Sequence, residues 1–319
     1  MTLDGTCLVT GAAGQDGFIL CRRLREMGAE VVGIARPGGA QAARSEALIE
    51  TGCRIIDLDL ENSDAIGEVV AAVKPAHIFH LAAAHHSSDS GAETAETWRA
   101  MLAVNLTATE ALVSAAEQAS PGASFVYASS SQIWTAKEPE QRMDETTPVS
   151  PASYYGRTKI LATQLLHEYR PKLRTMTAIL FNHESPFRSD SFVTRKITMA
   201  AARAARGDST KLHLRNIGAR VDWQAASDVV EGFLLMAKSQ VPEDYVLASG
   251  MSHSVKDFAA IAFGHVGLDW QDFVVAERDE AGPGLIGVPE KAERKLGWQR
   301  QQSFEKIVRG MVDADRART

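Results

Sequence analysis

Thr10-Gly11-Ala12-Ala13-Gly14-Gln15-Asp16-Gly17 is the stretch whose reading decides the fold. Its glycines are spaced G-x-x-G-x-x-G. A short apolar run, Thr6-Cys7-Leu8-Val9-Thr10, precedes it. Phe18, Ile19, Leu20 and Leu24 follow at helical spacing, and Gly28 is the stop, which predicts a helix over 18–27. At a strand–helix junction such glycines let the chain turn tightly, let the backbone approach a pyrophosphate, and let the helix pack on the strand. The phosphates then meet the unpaired N–H groups of the helix N-terminus. Gly11, Gly14 and Gly17, with Gln15 and Asp16 among them, are therefore expected to hold a dinucleotide. The strand–turn–helix context gives the motif its weight.

Outward from this loop, strands are expected at 30–35, 54–58, 78–82 and 124–128. Helices at 64–73 and 103–118 alternate with them. After a polar, Pro-marked loop over 137–151 come a helix at 154–169 and a strand at 175–181. Strands alternating with 10–15-residue helices mean a parallel sheet of βαβ units. The expected class is α/β, a Rossmann-type doubly wound parallel sheet with a smaller mixed α/β cap. Beyond Asn182 the alternation weakens, with helices at 192–206, 225–238, 255–263 and 304–316 and a short strand at 245–248. Residues 1–182 are expected to form the cofactor domain, with 225–250 returning to it. Residues 183–319 mainly form the cap.

The end of the second strand selects the dinucleotide. An acid there would bind a ribose 2′-hydroxyl. The chain has Gly33-Ile34-Ala35-Arg36-Pro37 instead. Arg36 suits a 2′-phosphate through charge-assisted hydrogen bonds, so NADP(H) is the expected cofactor. Asp59 and Leu60 would flank the adenine. Leu81, Ala82 and Ala83 end the fourth strand where the cofactor passes close to backbone.

Tyr155-Gly156-Arg157-Thr158-Lys159 has Y-x-x-x-K spacing. Residues i and i+4 share a helix face, so Lys159 lies beside the Tyr155 phenol. A lysine cation and an oxidised nicotinamide would favour phenolate and lower the phenol's pKa from about 10. Tyr155 is then the expected acid/base at a sugar hydroxyl, with Ser130 hydrogen-bonding the same group. Tyr154 lacks the spacing to Lys159.

The chain has 319 residues, 45% hydrophobic and 23% charged, which is ample for a packed core and excludes a disordered chain. A net charge of −6 argues against a nucleic-acid surface. No stretch approaches the ~18 apolar residues of a membrane span, and no basic leader is seen at the N-terminus. The 3 cysteines (Cys7, Cys21, Cys53) lack zinc spacing and suit a reducing, cytoplasmic setting. His85, His86 and Asp89 have no third spaced metal ligand, so no metal is expected. The two histidines are candidates for substrate contact. Trp98 and Trp134 suit packing or a sugar platform equally.

Together these residues resemble the extended short-chain dehydrogenases/reductases, and specifically the GDP-mannose 4,6-dehydratases, nearly end to end. Gly11 through Gln15-Asp16-Gly17 is similar to their glycine loop. Phe181-Asn182-His183-Glu184-Ser185-Pro186 followed by Phe192-Val193-Thr194-Arg195-Lys196-Ile197 resembles a signature of that subgroup, as do His253-Ser254-Val255 and Lys295-Leu296-Gly297-Trp298. The resemblance implies that His183 and Arg188 contact NADP(H), and that Asn182, Arg195 and Lys196 line the sugar-nucleotide side. It implies a GDP-linked hexose as substrate and a homodimer or homotetramer.

The chain departs from the family where chemistry is done. Thr-x-Glu is replaced by Ser130-Ser131-Gln132, and Trp134 stands for a tyrosine. Val221-Asp222-Trp223 replaces Arg-Asp-Trp, with Arg220 one position early. Arg278-Asp279-Glu280-Ala281 replaces Arg-Pro-x-Glu. An amide does not exchange protons at neutral pH as a carboxyl does, so Gln132 favours reduction or oxidation at C4 over dehydration. The alternatives are a dehydratase with a substitute base such as His85 or His86, and a non-catalytic NADPH-binding sensor.

Overall fold

The computed structural model describes residues 3–36, 38, 41–85 and 93–318. The first half alternates as expected: β1 (Thr6–Thr10), α1 (Gln15–Glu26), β2 (Glu30–Ala35), α2 (Ala42–Glu50), β3 (Arg54–Asp57), α3 (Ser63–Val73) and β4 (His77–His80). A long helical run follows, made of α4 (Ala95–Leu102), a π-helical turn over Ala103–Thr107, and α5 (Ala108–Ala119). The helix expected at 103–118 is the later part of this run. Then come β5 (Ser124–Ser130), β6 (Gln141–Met143), α6 (Tyr154–Tyr169), β7 (Arg174–Leu180) and β8 (Asn182–Glu184).

The remaining elements are α7 (Val193–Ala204), β9 (Leu212–Asn216), β10 (Arg220–Val221), β11 (Trp223–Ala225), α8 (Ala226–Lys238), β12 (Tyr245–Leu247), β13 (His253–Ser254), α9 (Val255–Gly264), β14 (Val274–Arg278), β15 (Leu285–Gly287), α10 (Glu290–Leu296) and α11 (Phe304–Arg318). The sequence reading missed α2, α4, α10, the five-residue strands β9 and β14, and most of the two- and three-residue strands. Such short strands pair only because distant segments meet, as Asn182 pairs with Trp223 and Leu285 with Gln141.

The main sheet has seven strands in the order β12-β7-β5-β4-β1-β2-β3, with every pairing parallel. Its central strands are buried on both faces, with Cys7, Leu8 and Val9 fully enclosed, while the edge strand β3 is half-exposed. Strand order reverses between β1 and β4. Ligands in such sheets bind at the carboxyl ends of the strands flanking that reversal. Gly11 follows β1 there, and Leu81-Ala82-Ala83 follow β4.

One core, under α1 and α8, joins Leu20, Leu24, Val229 and Phe233 to Val9, Phe79 and Met176. A second covers the opposite face with Ile66, Leu112, Phe125 and Leu166. A separate core unites α7, α9 and α11 through Ile197, Phe258, Val308 and Trp223. Trp223 stacks on Phe304 at 5.8 Å. Between these parts, α8 and β12 run back to the sheet.

Candidate active site

The loop after β1 is flush against its neighbours. Gly11 has φ +70°, and a Cβ there would lie 2.9 Å from the Ala82 backbone nitrogen. A Cβ on Gly17 would lie 2.1 Å from the Gly11 carbonyl oxygen. Gly14 is the N-cap of α1 and makes no side-chain capping bond. The first N–H groups of α1 thus start at the reversal point without a capping side chain. This cradle fits a pyrophosphate.

Gln15 and Asp16 tie the glycine loop to the segment around β8. Gln15 donates from Nε2 to the His183 carbonyl at 3.1 Å, and its Oε1 accepts from the Ser185 hydroxyl at 2.8 Å. Asp16 Oδ2 lies 2.9 Å from His183 Nε2, and His183 Nδ1 donates to the Phe181 carbonyl at 2.7 Å. Both ring nitrogens of His183 are therefore engaged by protein atoms, and Asp16 joins α1 to β8.

Burial disfavours the His183 cation, yet the charge and hydrogen bond of Asp16 prevail and raise its pKa. Burial likewise disfavours the Asp16 anion, but His183 and Arg188 hold its pKa below the usual carboxylate range. Arg188 stacks over Phe192 at 3.7 Å and lies 3.7 Å from Glu184. Its buried Nε has no hydrogen-bond partner.

Arg36 is exposed at the end of β2, and Asp59 is exposed after β3. Leu60 is buried in the core beneath α3. Arg44 was missed by the sequence reading. It donates to the Ala13 carbonyl of the glycine loop at 3.3 Å and to the Phe187 carbonyl at 2.8 Å. Its only sequence signal was a basic residue in a weakly amphipathic stretch.

The Ser-Tyr-Lys group is assembled by packing of the first turn of α6 on the turn after β5. A Cβ on Gly156 would meet the Gln132 carbonyl oxygen at 2.1 Å, so glycine is what lets the two approach. Ser153 caps α6 by accepting from the Gly156 N–H at 3.0 Å. Gln132 donates its N–H to Ser130 Oγ at 3.2 Å, and its Oε1 accepts from the Ser153 hydroxyl at 3.1 Å. Gln132 therefore spans Ser130 and the start of α6.

Lys159 is buried, and its Nζ donates to the Ala128 carbonyl at 2.7 Å. It lies 4.6 Å from the Tyr127 ring and 5.4 Å from the Tyr155 ring. Burial lowers its pKa to about 7. Burial also pushes the Tyr155 phenol up to about 12, against the pull of Arg188 and the Ser130 hydroxyl. Arg188 and the Ser130 hydroxyl, rather than Lys159, are the groups that pull the phenol down. A buried ammonium is itself destabilised, and its hydrogen bond goes to a carbonyl.

Asn105 was also missed. It is buried in the π-helical turn, where its Oδ1 accepts from the Ala84 N–H at 2.8 Å. Its Nδ2 donates to the Ala84 carbonyl at 2.9 Å and to Thr158 Oγ1 at 3.0 Å. A lone amide in the apolar run from Met101 to Leu106 was the available signal. Next to Ala84, the exposed His85 ring packs edge-on against Tyr155, with centroids 4.8 Å apart. His86 and Asp89 lie outside the described residues.

On the cap side, Arg195 is 4% exposed and enclosed between α7 and α11. Its guanidinium is bound to Asp315 and, at 3.2 Å, to Asp190. This corrects its expected place on the substrate: its charge is committed to a buried carboxylate. Arg220 donates to Glu140 at 3.0 Å and to the Ser252 carbonyl at 2.8 Å. Asn182 and Arg278 are exposed at the start of β8 and the end of β14, and Lys196 is half-buried on α7. Asp222, buried, accepts from the N–H groups of Ser249, Gly250 and Gly287.

Trp134 is buried and donates to the Thr147 carbonyl, while Trp98 packs on Tyr154 at 5.2 Å. Both have packing roles. Among the described residues no group of three His, Cys, Asp or Glu side chains is placed to hold a metal ion. No helix among them is long and apolar enough to cross a membrane.

The family profile described as GDP-mannose 4,6 dehydratase matches residues 8–311. The chain is 37% identical over 322 residues to GDP-mannose 4,6 dehydratase 1 of Arabidopsis thaliana, covering 97% of this chain and 89% of that protein. It is 34% identical over 347 residues to the GDP-mannose 4,6 dehydratase of Homo sapiens, covering 97% and 90%. Among solved structures, UDP-glucose 4-epimerase of Thermotoga maritima with UDP-glucose superposes with a TM-score of 0.83 at 21% identity, covering 98% of this chain and 99% of that one. RMD from Pseudomonas aeruginosa complexed with NADPH gives a TM-score of 0.80 at 19% identity, covering 99% and 100%. At such identities the structural likeness speaks to the fold.

Proposed function

Because this chain belongs to the GDP-mannose 4,6-dehydratase family, we propose that it is a nucleotide-sugar-modifying enzyme that works at C4 of a hexose and favours reduction of a 4-keto sugar over dehydration. The nucleotide is GDP on this reading, by likeness to the relatives. The cofactor is a nicotinamide nucleotide, and NADP(H) is favoured by Arg36 where an acid would select NAD(H).

Gln132 is the observation that carries the proposal. Dehydration needs a group that takes the C5 proton and protonates the leaving C6 hydroxyl. Gln132 occupies the place beside Ser130 with a side chain that can only donate or accept hydrogen bonds. Ser130, Tyr155 and Lys159 suffice for C4 chemistry.

In the reductive direction, Ser130 and the protonated Tyr155 donate hydrogen bonds to the C4 carbonyl oxygen. A reduced nicotinamide nucleotide held by the glycine loop would supply hydride for C4. Tyr155 then passes its phenolic proton to the C4 oxygen, and Lys159 stabilises the phenolate left behind. A phenol held up at about 12 is well suited to start as the proton donor.

A dehydratase is the second reading, and the family match over residues 8–311 favours it. Purified protein is incubated with GDP-mannose and NADP⁺, and separately with a GDP-4-keto hexose and NADPH. NADPH oxidation that is lost in Tyr155→Phe supports the proposal. A 4-keto-6-deoxy product from GDP-mannose at ordinary turnover overturns it. Cofactor binding with no turnover of any nucleotide sugar identifies a sensor.

A further inference from the structure

We infer that His80 is a positioning residue behind the cofactor cleft: as the neutral tautomer with its proton on Nε2, it ties the ends of β1 and β4 to the turn that carries Asn105, and so sets the cofactor cradle against the helix of Tyr155. This rests on the nicotinamide reading above and extends it to a buried residue that the chemistry itself does not use.

The tautomer follows from the donors around the ring. His80 ends β4 and is fully buried. Thr10 ends β1, and its hydroxyl lies 2.7 Å from His80 Nδ1. That hydroxyl oxygen already accepts from the N–H groups of Leu81 and Ala82, each at 3.2 Å. Its lone pairs are thus taken, and its one proton goes to Nδ1. Nδ1 is therefore bare, and the ring proton sits on Nε2. Nε2 donates to the Thr109 hydroxyl at 2.9 Å, and that hydroxyl donates to the Asn105 carbonyl at 2.8 Å. The hydrogen bonds run one way, from Thr10 through the imidazole to Asn105. Burial and the nearby Lys159 charge hold the ring neutral, with its pKa lowered to about 3.

Each arm of the imidazole holds one side of the site. On the Thr10 side, Leu81 and Ala82 follow β4 at the reversal of strand order. A Cβ on Gly11 would lie 2.9 Å from the Ala82 nitrogen, so the two strand ends meet with no slack. A shift of Ala82 moves the floor over which the dinucleotide passes. On the Thr109 side, Asn105 lies in the π-helical turn and donates to the Ala84 carbonyl and to the Thr158 hydroxyl. The Thr158 proton goes to the Tyr155 carbonyl at 2.8 Å.

A ring that only filled space would be apolar here. Phe125 and Tyr127 pack on His80 with centroids 6.2 and 5.5 Å away. Burying two ring nitrogens among them costs desolvation, which the two directed hydrogen bonds offset.

Two substitutions separate the arms. In His80→Asn the shorter amide reaches the place of Nδ1; its oxygen accepts from Thr10, and the bond to Thr109 is lost. In His80→Gln the longer amide reaches the place of Nε2; its nitrogen donates to Thr109, and the bond from Thr10 is lost. Both remove ring volume and lower Tm alike, so Tm is not the readout. The full-length wild type and both variants are titrated with NADPH by fluorescence. NADPH oxidation by GDP-4-keto-6-deoxymannose is then followed at saturating cofactor. His80→Gln is expected to weaken NADPH binding by about tenfold, and His80→Asn by no more than about twofold. The order reverses for kcat, with about a tenfold loss in His80→Asn and a smaller one in His80→Gln. Equal losses in the two variants, in Kd or in kcat, overturn the inference. A split in Kd with no turnover even by the wild type leaves it standing and overturns the C4 reading. No NADPH binding by the wild type overturns both.

Discussion

Breaking the Arg195–Asp315 pair separates a structural cation from a substrate-binding one. Both side chains are enclosed, at 4% and 3% exposure. Asp315 also accepts from the Thr198 hydroxyl at 2.7 Å. Asp315→Leu leaves the Arg195 guanidinium buried with, among the described residues, the exposed Asp190 as its anionic partner. Removing one partner of a buried pair costs about 3–5 kcal/mol, because the remaining charge loses its compensation. Unfolding entropy of about 2.1 cal/mol/K per residue over 319 residues amounts to roughly 0.7 kcal/mol/K. A loss of about 4 kcal/mol therefore lowers Tm by about 6 °C. Arg195→Met should destabilise to a similar degree, and Arg195→Met/Asp315→Leu should recover most of the loss, since matched apolar chains replace the pair at little cost. Thermal unfolding of the four proteins gives the Tm values, and steady-state kinetics gives KM for the sugar nucleotide. An unchanged Tm with a tenfold rise in KM for Arg195→Met would refute the reasoning and return Arg195 to the substrate.

Three further outcomes follow from the site. Lys159 loses its proton near about 7 in the free enzyme, so kcat/KM for 4-keto reduction should fall as pH rises through that value, and Lys159→Met should abolish the limb along with most activity. Gly17→Ala puts a Cβ 2.1 Å from the Gly11 carbonyl; fluorescence titration should show cofactor binding weakened by at least about tenfold, with the chain still folded. The raised pKa of His183 contributes stability that is full below its unfolded value of about 6.5 and lost as pH rises through the folded value. The lowered pKa of Asp16 contributes stability present above about 3.9 and lost on acidification. The Tm advantage of wild type over Asp16→Asn/His183→Gln should therefore peak near about pH 5–6; a difference independent of pH would count against a charged pair.

The parts of this molecule that were legible in its sequence are those set by local chemistry. The glycine loop dictates its own turn, and four-residue spacing on a helix brings Tyr155 and Lys159 to one face. Arg195 read as a substrate cation because nothing in its neighbourhood shows that Asp315, 120 residues away, folds against it. Asp16 and His183 are 167 positions apart, so their pairing shows only in the folded chain. Asn105 is informative only once its helix contains a π-helical turn that presents the amide to Ala84. The phenol's high pKa is a property of burial, which spacing does not report.

The central claim is that Gln132 has removed dehydration and left C4 chemistry intact. The direct measurement is product analysis after GDP-mannose and NADP⁺ are incubated with wild type and with Gln132→Glu at equal enzyme concentration. The account predicts no 4-keto-6-deoxy sugar from the wild type and its appearance with Gln132→Glu. Rapid formation by the wild type, with no gain from the glutamate, would contradict it.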